Sequence, residues 1–301
     1  MTKLSKKART ILDTHNIPYT DINTITKNGN KAVYSYIVTP DGKLMNFPLK
    51  PGTDKIGKKC FAFGTLATDR LYIIDGIGEI MGTCCITCTN SDGDIDCYAC
   101  MGHYKQYNVK LSLAHNTLLA YKYIDFLYRL ISAQLEIIGG GVDIRIHVAG
   151  DFFNDVYSNM WHRIAAEHPK NRFWAYTKNE KYERLFDDLS NANIVKSNIA
   201  GIGFNFGHID YILALYEHLT AIGKKAYICP CGVDDTIHCQ DCNICIEYEY
   251  VLFIEHSTEY KAKDDPLYPF ISEIVKAQNG GNQLALASRI NTYITTEYKA
   301  A

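Results

Sequence analysis

Between residues 143 and 228 the chain alternates β-prone runs with amphipathic stretches, and this alternation constrains the fold more than any other feature. Residues 143–149, 172–176, 193–197 and 225–228 read as strands, and 156–168, 181–189 and 209–222 as helices. Val156, Met160, Trp161, Ile164 and Ala165 recur at helical spacing on one face, Pro169 stops that helix, and Gly223 caps the last one. Strand–helix–strand units close as right-handed crossovers onto a parallel sheet. The expected fold is α/β, either an open parallel sheet or a partial (βα) barrel, with cysteine-rich metal-binding loops and a helical C-terminal tail.

Three segments frame this pattern. Residues 1–80 form a mixed α+β segment, with a helix over 3–15, strands over 32–38 and 71–74, and a Pro40-Asp41-Gly42 turn. Residues 81–250 form the α/β core with two cysteine groups, including one long helix over 111–138 that ends at Gly139-Gly140-Gly141. Residues 251–301 are a helical extension, with two helices over 266–298 separated by Gly280-Gly281. Parallel α/β folds carry their sites at the carboxyl ends of strands. Gly150 and Asp151 follow the first of the alternating strands, Thr177 and Lys178 the second, Asn198 the third and Cys229 the fourth. Asp151 and Lys178 are therefore the candidate catalytic residues, and Gly150, Asp151 and Asn198 the candidate cofactor contacts. The plain alternatives are a turn or cap role for Asp151 and a solvated side chain for Lys178.

Composition narrows the chemistry. The net charge of -2 argues against a broad nucleic-acid-binding face, and the basic start at Lys3, Lys6, Lys7 and Arg9 reads as a solvated tail. No apolar run is long enough to cross a bilayer, and no signal-peptide core opens the chain, so a cytoplasmic protein is expected. Eleven cysteines in a reducing compartment then point to metal or redox chemistry rather than disulfides.

The cysteines fall into two groups. Cys239, Cys242 and Cys245 form a C-x2-C-x2-C run preceded by Cys229-Pro230-Cys231. Three thiolates within seven residues suit the corners of an iron–sulfur cube, with Cys229 or Cys231 as the fourth ligand. Zinc is the alternative metal, since a zinc site also draws on clustered thiolates. In the first group Cys85, Cys88, Cys97 and Cys100 form C-x2-C-x8-C-x2-C, following Cys84. Two readings compete there: a pair of zinc knuckles, or a subset of thiolates holding a 4Fe-4S cluster with one open iron. Cys60 reads as a buried small hydrophobe, and His103 and His147 as packed or solvated rather than as ligands.

The segments Cys97-Tyr98-Ala99, Arg145-Ile146-His147-Val148-Ala149-Gly150-Asp151-Phe152, Phe173-Trp174-Ala175-Tyr176-Thr177-Lys178 and Cys229-Pro230, with the terminal cysteine run, resemble a phage-borne family. It is the family named after mycobacteriophage gene product eighty-eight, and the resemblance covers roughly residues 80–250. The family pattern opens its first cysteine group with Cys-Pro, whereas Cys84-Cys85-Ile86 stands here. A second resemblance is to radical S-adenosylmethionine enzymes, which are partial α/β barrels with a three-cysteine cluster. It implies that Cys88, Cys97 and Cys100 hold a 4Fe-4S cluster and that Gly150-Asp151 stands for the family's glycine–acid motif. The spacing departs from that family's C-x3-C-x2-C. The second cysteine group would then resemble an auxiliary cluster.

Two functions follow as expectations. One is an iron–sulfur protein with one or two 4Fe-4S clusters, in its enzymatic form a divergent radical S-adenosylmethionine-like enzyme acting on a small molecule. The other is a non-catalytic accessory protein, stapled by zinc or a cluster, that binds a protein partner. A phage-encoded chain of either kind would work in the host cytoplasm.

Overall fold

The computed structural model describes residues 3–52, 59–84, 97–100, 102–199, 202–234, 237, 242–255 and 261–279. The chain divides into two compact units, Met1–Thr53 with Lys58–Ala192, and Asp54–Gly57 with Asn193–Ala301.

The first unit opens with α1 (Lys6–Thr14), capped by the Ser5 hydroxyl, which accepts from Ala8 N. A three-stranded antiparallel meander follows: β1 (Tyr19–Ile25), β2 (Lys31–Val38) and β3 (Leu44–Met45). Next come β4 (Lys50–Pro51), β5 (Cys60–Ala62) and the hairpin of β6 (Leu71–Ile74) and β7 (Gly78–Met81). Helices α2 (Tyr107–Lys122) and α3 (Ile124–Ile138) lead to β8 (Asp143–Ile146), α4 (Asp155–Glu167) and β9 (Arg172–Thr177). The sheet runs β9-β8-β5-β4, parallel except for β4 against β5. Ile144, Ile146, Phe173 and Ala175 are completely buried.

The second unit begins along β10 (Ala192–Lys196), whose first residue closes the unit before it. The short strands β11 (Asn198–Ile199) and β12 (Gly203–Phe204) pair antiparallel. Then come β13 (Phe206–Gly207), α5 (Ile209–Ala221), β14 (Ala226–Ile228), α6 (Ile244–Glu247), β15 (Tyr250–Ile254) and α7 (Tyr268–Asn279). The parallel sheet β13-β15-β14 packs with α5 and α7 around Ile212, Leu213, Tyr216, Ile228, Leu252, Ile271 and Ile274.

The α/β class agrees with the sequence, and among the described residues no sheet closes into a barrel. β14 pairs with β15, in a different sheet from β8 and β9. The helix expected over 111–138 is two helices, because Tyr123 leaves helical backbone at φ -136° and ψ 48°. The helix expected over 181–189 is a 3-10 turn at Glu180–Tyr182 followed by further turns that bury Tyr182 and Phe186. Asp187 and Asp188 would stand at the negative end of a helix there, which disfavours it. The strand expected over 143–149 stops at Ile146, since His147 adopts a left-handed φ of 62°. Of the two tail helices, α7 is the first; the other lies outside the described residues.

One buried amide holds the loop entering β4. Gln134 of α3 donates from Nε2 to Leu49 O at 2.7 Å and accepts from Leu49 N at 2.9 Å through Oε1. Both residues are buried, so the side chain does the work of a strand neighbour. Replacing Gln134 with Leu strands a backbone donor and acceptor together, at an expected cost of roughly 2–4 kcal/mol. The check is the urea midpoint at constant m-value; an unchanged midpoint would mean water replaces the amide.

Candidate functional site

Beyond β8 the chain turns through residues 147–151 at the carboxyl end of the sheet. Val148 N donates to Phe63 O at 2.8 Å, and Tyr104 Oη donates to Val148 O at 3.0 Å. Gly150 has φ 84°, and a Cβ there would lie 1.9 Å from Thr65 Oγ1 and 2.5 Å from Thr83 Oγ1. Only glycine satisfies both the backbone and the space. The two hydroxyls are 2.8 Å apart. Thr83 Oγ1 donates to Leu66 O at 3.1 Å, which makes Thr65 the donor within the pair, and it accepts from Asp151 N at 3.0 Å.

Asp151 is turned inward, 4% exposed. Its Oδ1 accepts from Thr177 Oγ1 and from Phe152 N, both at 2.7 Å, and Oδ2 accepts from Lys178 N at 2.9 Å. The structure thus brings Gly150, Asp151 and the Lys178 backbone together, and the carboxylate ties the end of β9 to the end of β8. Asn198 belongs to the second unit, and its side chain lies outside the described residues. Thr65, Thr83, Tyr104 and Thr177 complete the cluster. Of these, Thr177 alone carried a sequence signal, its place after a strand; isolated hydroxyls have no spacing to betray them.

The first cysteine group reaches the same strand end. Cys84 follows Thr83 directly, and its N–H donates to Thr68 O at 3.1 Å. Cys97 is buried, and Cys100 ends the 3-10 turn Tyr98–Cys100, closed by Cys100 N to Cys97 O at 2.7 Å. Cys84, Cys97 and Cys100 share one apolar cluster with Leu66, Ala67 and Ala149. Tyr72 Oη donates to Ala67 O at 2.9 Å and lies 3.9 Å from Cys100 Sγ. Cys85 and Cys88 lie outside the described residues.

The second group is built on β14. Cys229 N donates to Leu252 O at 2.7 Å, and Cys231 lies in the 3-10 turn Pro230–Gly232. Cys245 lies in α6, where its carbonyl accepts from Asn193 Nδ2 at 3.0 Å, and Cys242 stands just before that helix. Cys239 lies outside the described residues. The described cysteines are not in disulfides. Among the described residues no three Cys, His, Asp or Glu side chains converge as a metal shell, so the structure itself does not support the expected metal-binding loops. Cys60 is buried in β5 and His103 is exposed. His147 Nε2 lies 2.7 Å from Tyr157 Oη while its buried Nδ1 has no partner.

Two buried groups here titrate in opposition. Burial raises Asp151 from 3.8 to about 6 against the pull of its donors, and burial lowers His147 from 6.5 to about 3. In the folded state Asp151 takes up its proton earlier on acidification, so its contribution to stability falls as pH rises from about 4 to about 6. His147 stays neutral when folded, so its contribution falls as pH drops from about 6.5 toward 3. The slopes offset one another between about pH 4 and 6. The Asp151→Asn variant removes one of them and is expected to lose stability on acidification in that window more steeply than the parent. Urea midpoints measured across the window decide this, and parallel curves would show that Asp151 does not titrate there.

Fold and site together define an α/β protein with two cysteine-rich segments, one of them seated at the carboxyl end of a mostly parallel sheet. The chain belongs to the Gene product 88 family, whose sequence model matches residues 66–247. That span takes in both cysteine groups and the clamp around Asp151. No curated protein and no solved structure matches the chain. No helix among the described residues is long and apolar enough to cross a membrane.

Proposed function

We propose that this phage-family protein binds iron–sulfur clusters and that its first cysteine group serves a reaction at the carboxyl end of the first unit's sheet. The observation that carries the reading is the packing of Cys84, Cys97 and Cys100 with Ala149, one residue from Gly150. Thr83, beside Cys84, is bonded to Asp151 N, so the cysteine segment is anchored to the strand end. The donor set fits: thiolates are soft ligands suited to iron–sulfur clusters, and the turn closing Cys97 on Cys100 suits chelation by a C-x2-C pair. Cys229, Cys231, Cys239, Cys242 and Cys245 supply the candidate ligands of a second centre.

In the enzymatic form of this reading the site is of radical S-adenosylmethionine type, held by Cys88, Cys97 and Cys100. A bound four-iron cluster supplies one-electron chemistry, while the protein orients and keeps out water. Asp151 acts here as a positioning residue, because three donors already occupy its carboxylate. It fixes the Gly150 turn and the Lys178 backbone. Clustered thiols outside disulfides suit a reducing compartment, the host cytoplasm. The competing reading, a zinc-stapled protein that binds a partner, is favoured by the burial of Cys97 and Cys229.

Anaerobic purification with iron, sulfide and zinc assays tests the proposal. About four or about eight irons per chain with matching sulfide are expected. The pair Cys97→Ser and Cys100→Ser should lose one set, and Cys242→Ser with Cys245→Ser the other. Stoichiometric zinc without sulfide from an iron-fed culture sinks the iron–sulfur reading. If iron is present, failure of the reduced protein to cleave S-adenosylmethionine sinks the enzymatic form alone.

A further inference from the structure

The antiparallel meander β1–β3 has one packed face and one open face. On the packed face Ser35, Ile37 and Met45 are buried. Leu4 N donates to Ser35 Oγ at 2.9 Å, so the chain entering α1 also lies on that side. Alternation puts the even positions on the other face. Register sets Thr20 beside Tyr36, Ile22 beside Tyr34 and Leu44 beside Val38. All six keep exposure to solvent, with Ile22 at 39% and Leu44 at 41%. Charge is concentrated around this face. Residues 3–52 carry seven lysines and one arginine against three aspartates and no glutamate, a basic excess that the net charge of -2 conceals. Arg9 is paired with Asp21 and Lys43 with Asp41, while Lys50 turns its ammonium onto Phe47 O at 2.6 Å. That leaves Lys3, Lys6, Lys7, Lys27 and Lys31, all exposed, with Asp13 as the only other acid of the segment. Lys6, Lys7 and Arg9, expected in a solvated tail, stand on the capped helix α1. Asp21 of β1 lies within the field of Lys3, which sets the N-terminal lysines beside that strand, and Lys27 and Lys31 stand at the tip of the β1–β2 hairpin.

We propose that the open face of this meander, with the lysines at the hairpin tip and beside β1, binds single-stranded nucleic acid. The two kinds of group match the two parts of such a ligand. Tyr34 and Tyr36 alternate along one strand, so their rings follow each other about 7 Å apart on the same face, a platform on which successive bases stack. The lysines supply charge for the phosphates. β1 is the outer strand of its sheet, so a chain lying on the tyrosines passes over a free edge to reach Lys3, Lys6 and Lys7. A duplex hides its base faces and gains only from the charge. An acidic protein or an anionic bilayer would also gain from the charge, but neither needs rings in place of aliphatic side chains. The surface shares no residue with either cysteine group, so it stands whichever reading of those groups holds.

The full-length protein is titrated by fluorescence anisotropy against labelled single strands of about twelve nucleotides, one of thymidines and one of uridines, at about 50 mM and about 200 mM salt. Saturable binding is expected at the lower salt, with a dissociation constant in the micromolar range or tighter and a clear preference over a duplex of the same length. Tyr34→Leu with Tyr36→Leu keeps apolar bulk but removes the rings, and should weaken binding about tenfold or more. Tyr34→Phe with Tyr36→Phe keeps the rings and should stay within about twofold of the parent. Lys3→Gln with Lys6→Gln and Lys7→Gln should flatten the log–log salt slope by about two, since each phosphate contact to a single strand contributes about 0.7. Lys225→Gln, exposed in the second unit, should change neither affinity nor slope. Should the leucine pair fail to fold, the exposed lysine triple still decides through the slope. No saturable binding to either strand, or binding that the duplex equals and the leucine pair leaves intact, overturns the proposal. Binding to phosphatidylserine vesicles without binding to the oligonucleotides overturns it too and assigns the face to a membrane surface.

Discussion

A carboxylate buried at a strand end is costly unless donors surround it, and the first unit is organised around one. Asp151 is satisfied chiefly by the Thr177 hydroxyl and the N–H groups of Lys178 and Phe152; the Lys178 charge contributes least. These donors do not offset the whole cost of burial, which is why the group still sits near 6. They do fix geometry, because they come from two separate segments of the chain. Thr177 and Lys178 bring in β9, Phe152 brings in the segment before α4, and the Asp151 N–H reaches Thr83. Thr83 in turn is bonded to Thr65 and Leu66. Through its carboxylate and its own N–H, one residue therefore ties together β9, the loop after β8, the loop after β5 and the stretch leading into the cysteines.

Much of this was legible in the chain itself. The helix from Asp155 to Glu167 and the strand from Arg172 to Thr177 carry strong periodicity and clear stops, and the structure places them within a residue or two of expectation. Gly150-Asp151 announced itself by following a strand. What was hidden depends on partners distant in sequence. Tyr123 breaks a continuous apolar pattern because α2 and α3 bury different neighbours, and no local residue type marks the change. β14 looked like a fourth strand of one sheet, yet its partner is β15, which lies beyond the cysteine run. Strand order is a choice among partners, and spacing alone does not make it. Residues 181–189 look helical by composition, but burial of Tyr182 and Phe186 is achieved in turns.

The cysteine groups show the same limit. Spacing identifies thiols that can share a metal, but ligation depends on where the backbone turns. The 3-10 turn at Tyr98–Cys100 and the one at Pro230–Gly232 each place a cysteine beside a strand end, Cys100 through the cluster with Ala149 and Cys231 directly after β14. Among the described residues a tight turn thus carries one thiol of each group, in separate units.

His147 shows what the strand-end geometry costs. A side-chain-bearing residue at φ 62° stores on the order of 1 kcal/mol or more. The same residue buries an imidazole with an unpartnered Nδ1 and stays neutral through most of the pH range. Neither feature helps the fold locally. Both follow from turning the chain sharply after Ile146 so that Gly150 passes beneath Thr65 and Thr83 while Asp151 meets Thr177. A glycine at 147 would relieve the strain but lose the contacts of the ring with Phe152 and the Tyr157 hydroxyl. The imidazole therefore fills the inside of the turn, packed against Phe152 and bonded to Tyr157. That turn leaves the Arg145 face and the Asp151 clamp on neighbouring positions of the same strand end, one side charged and aromatic, the other closed around a carboxylate.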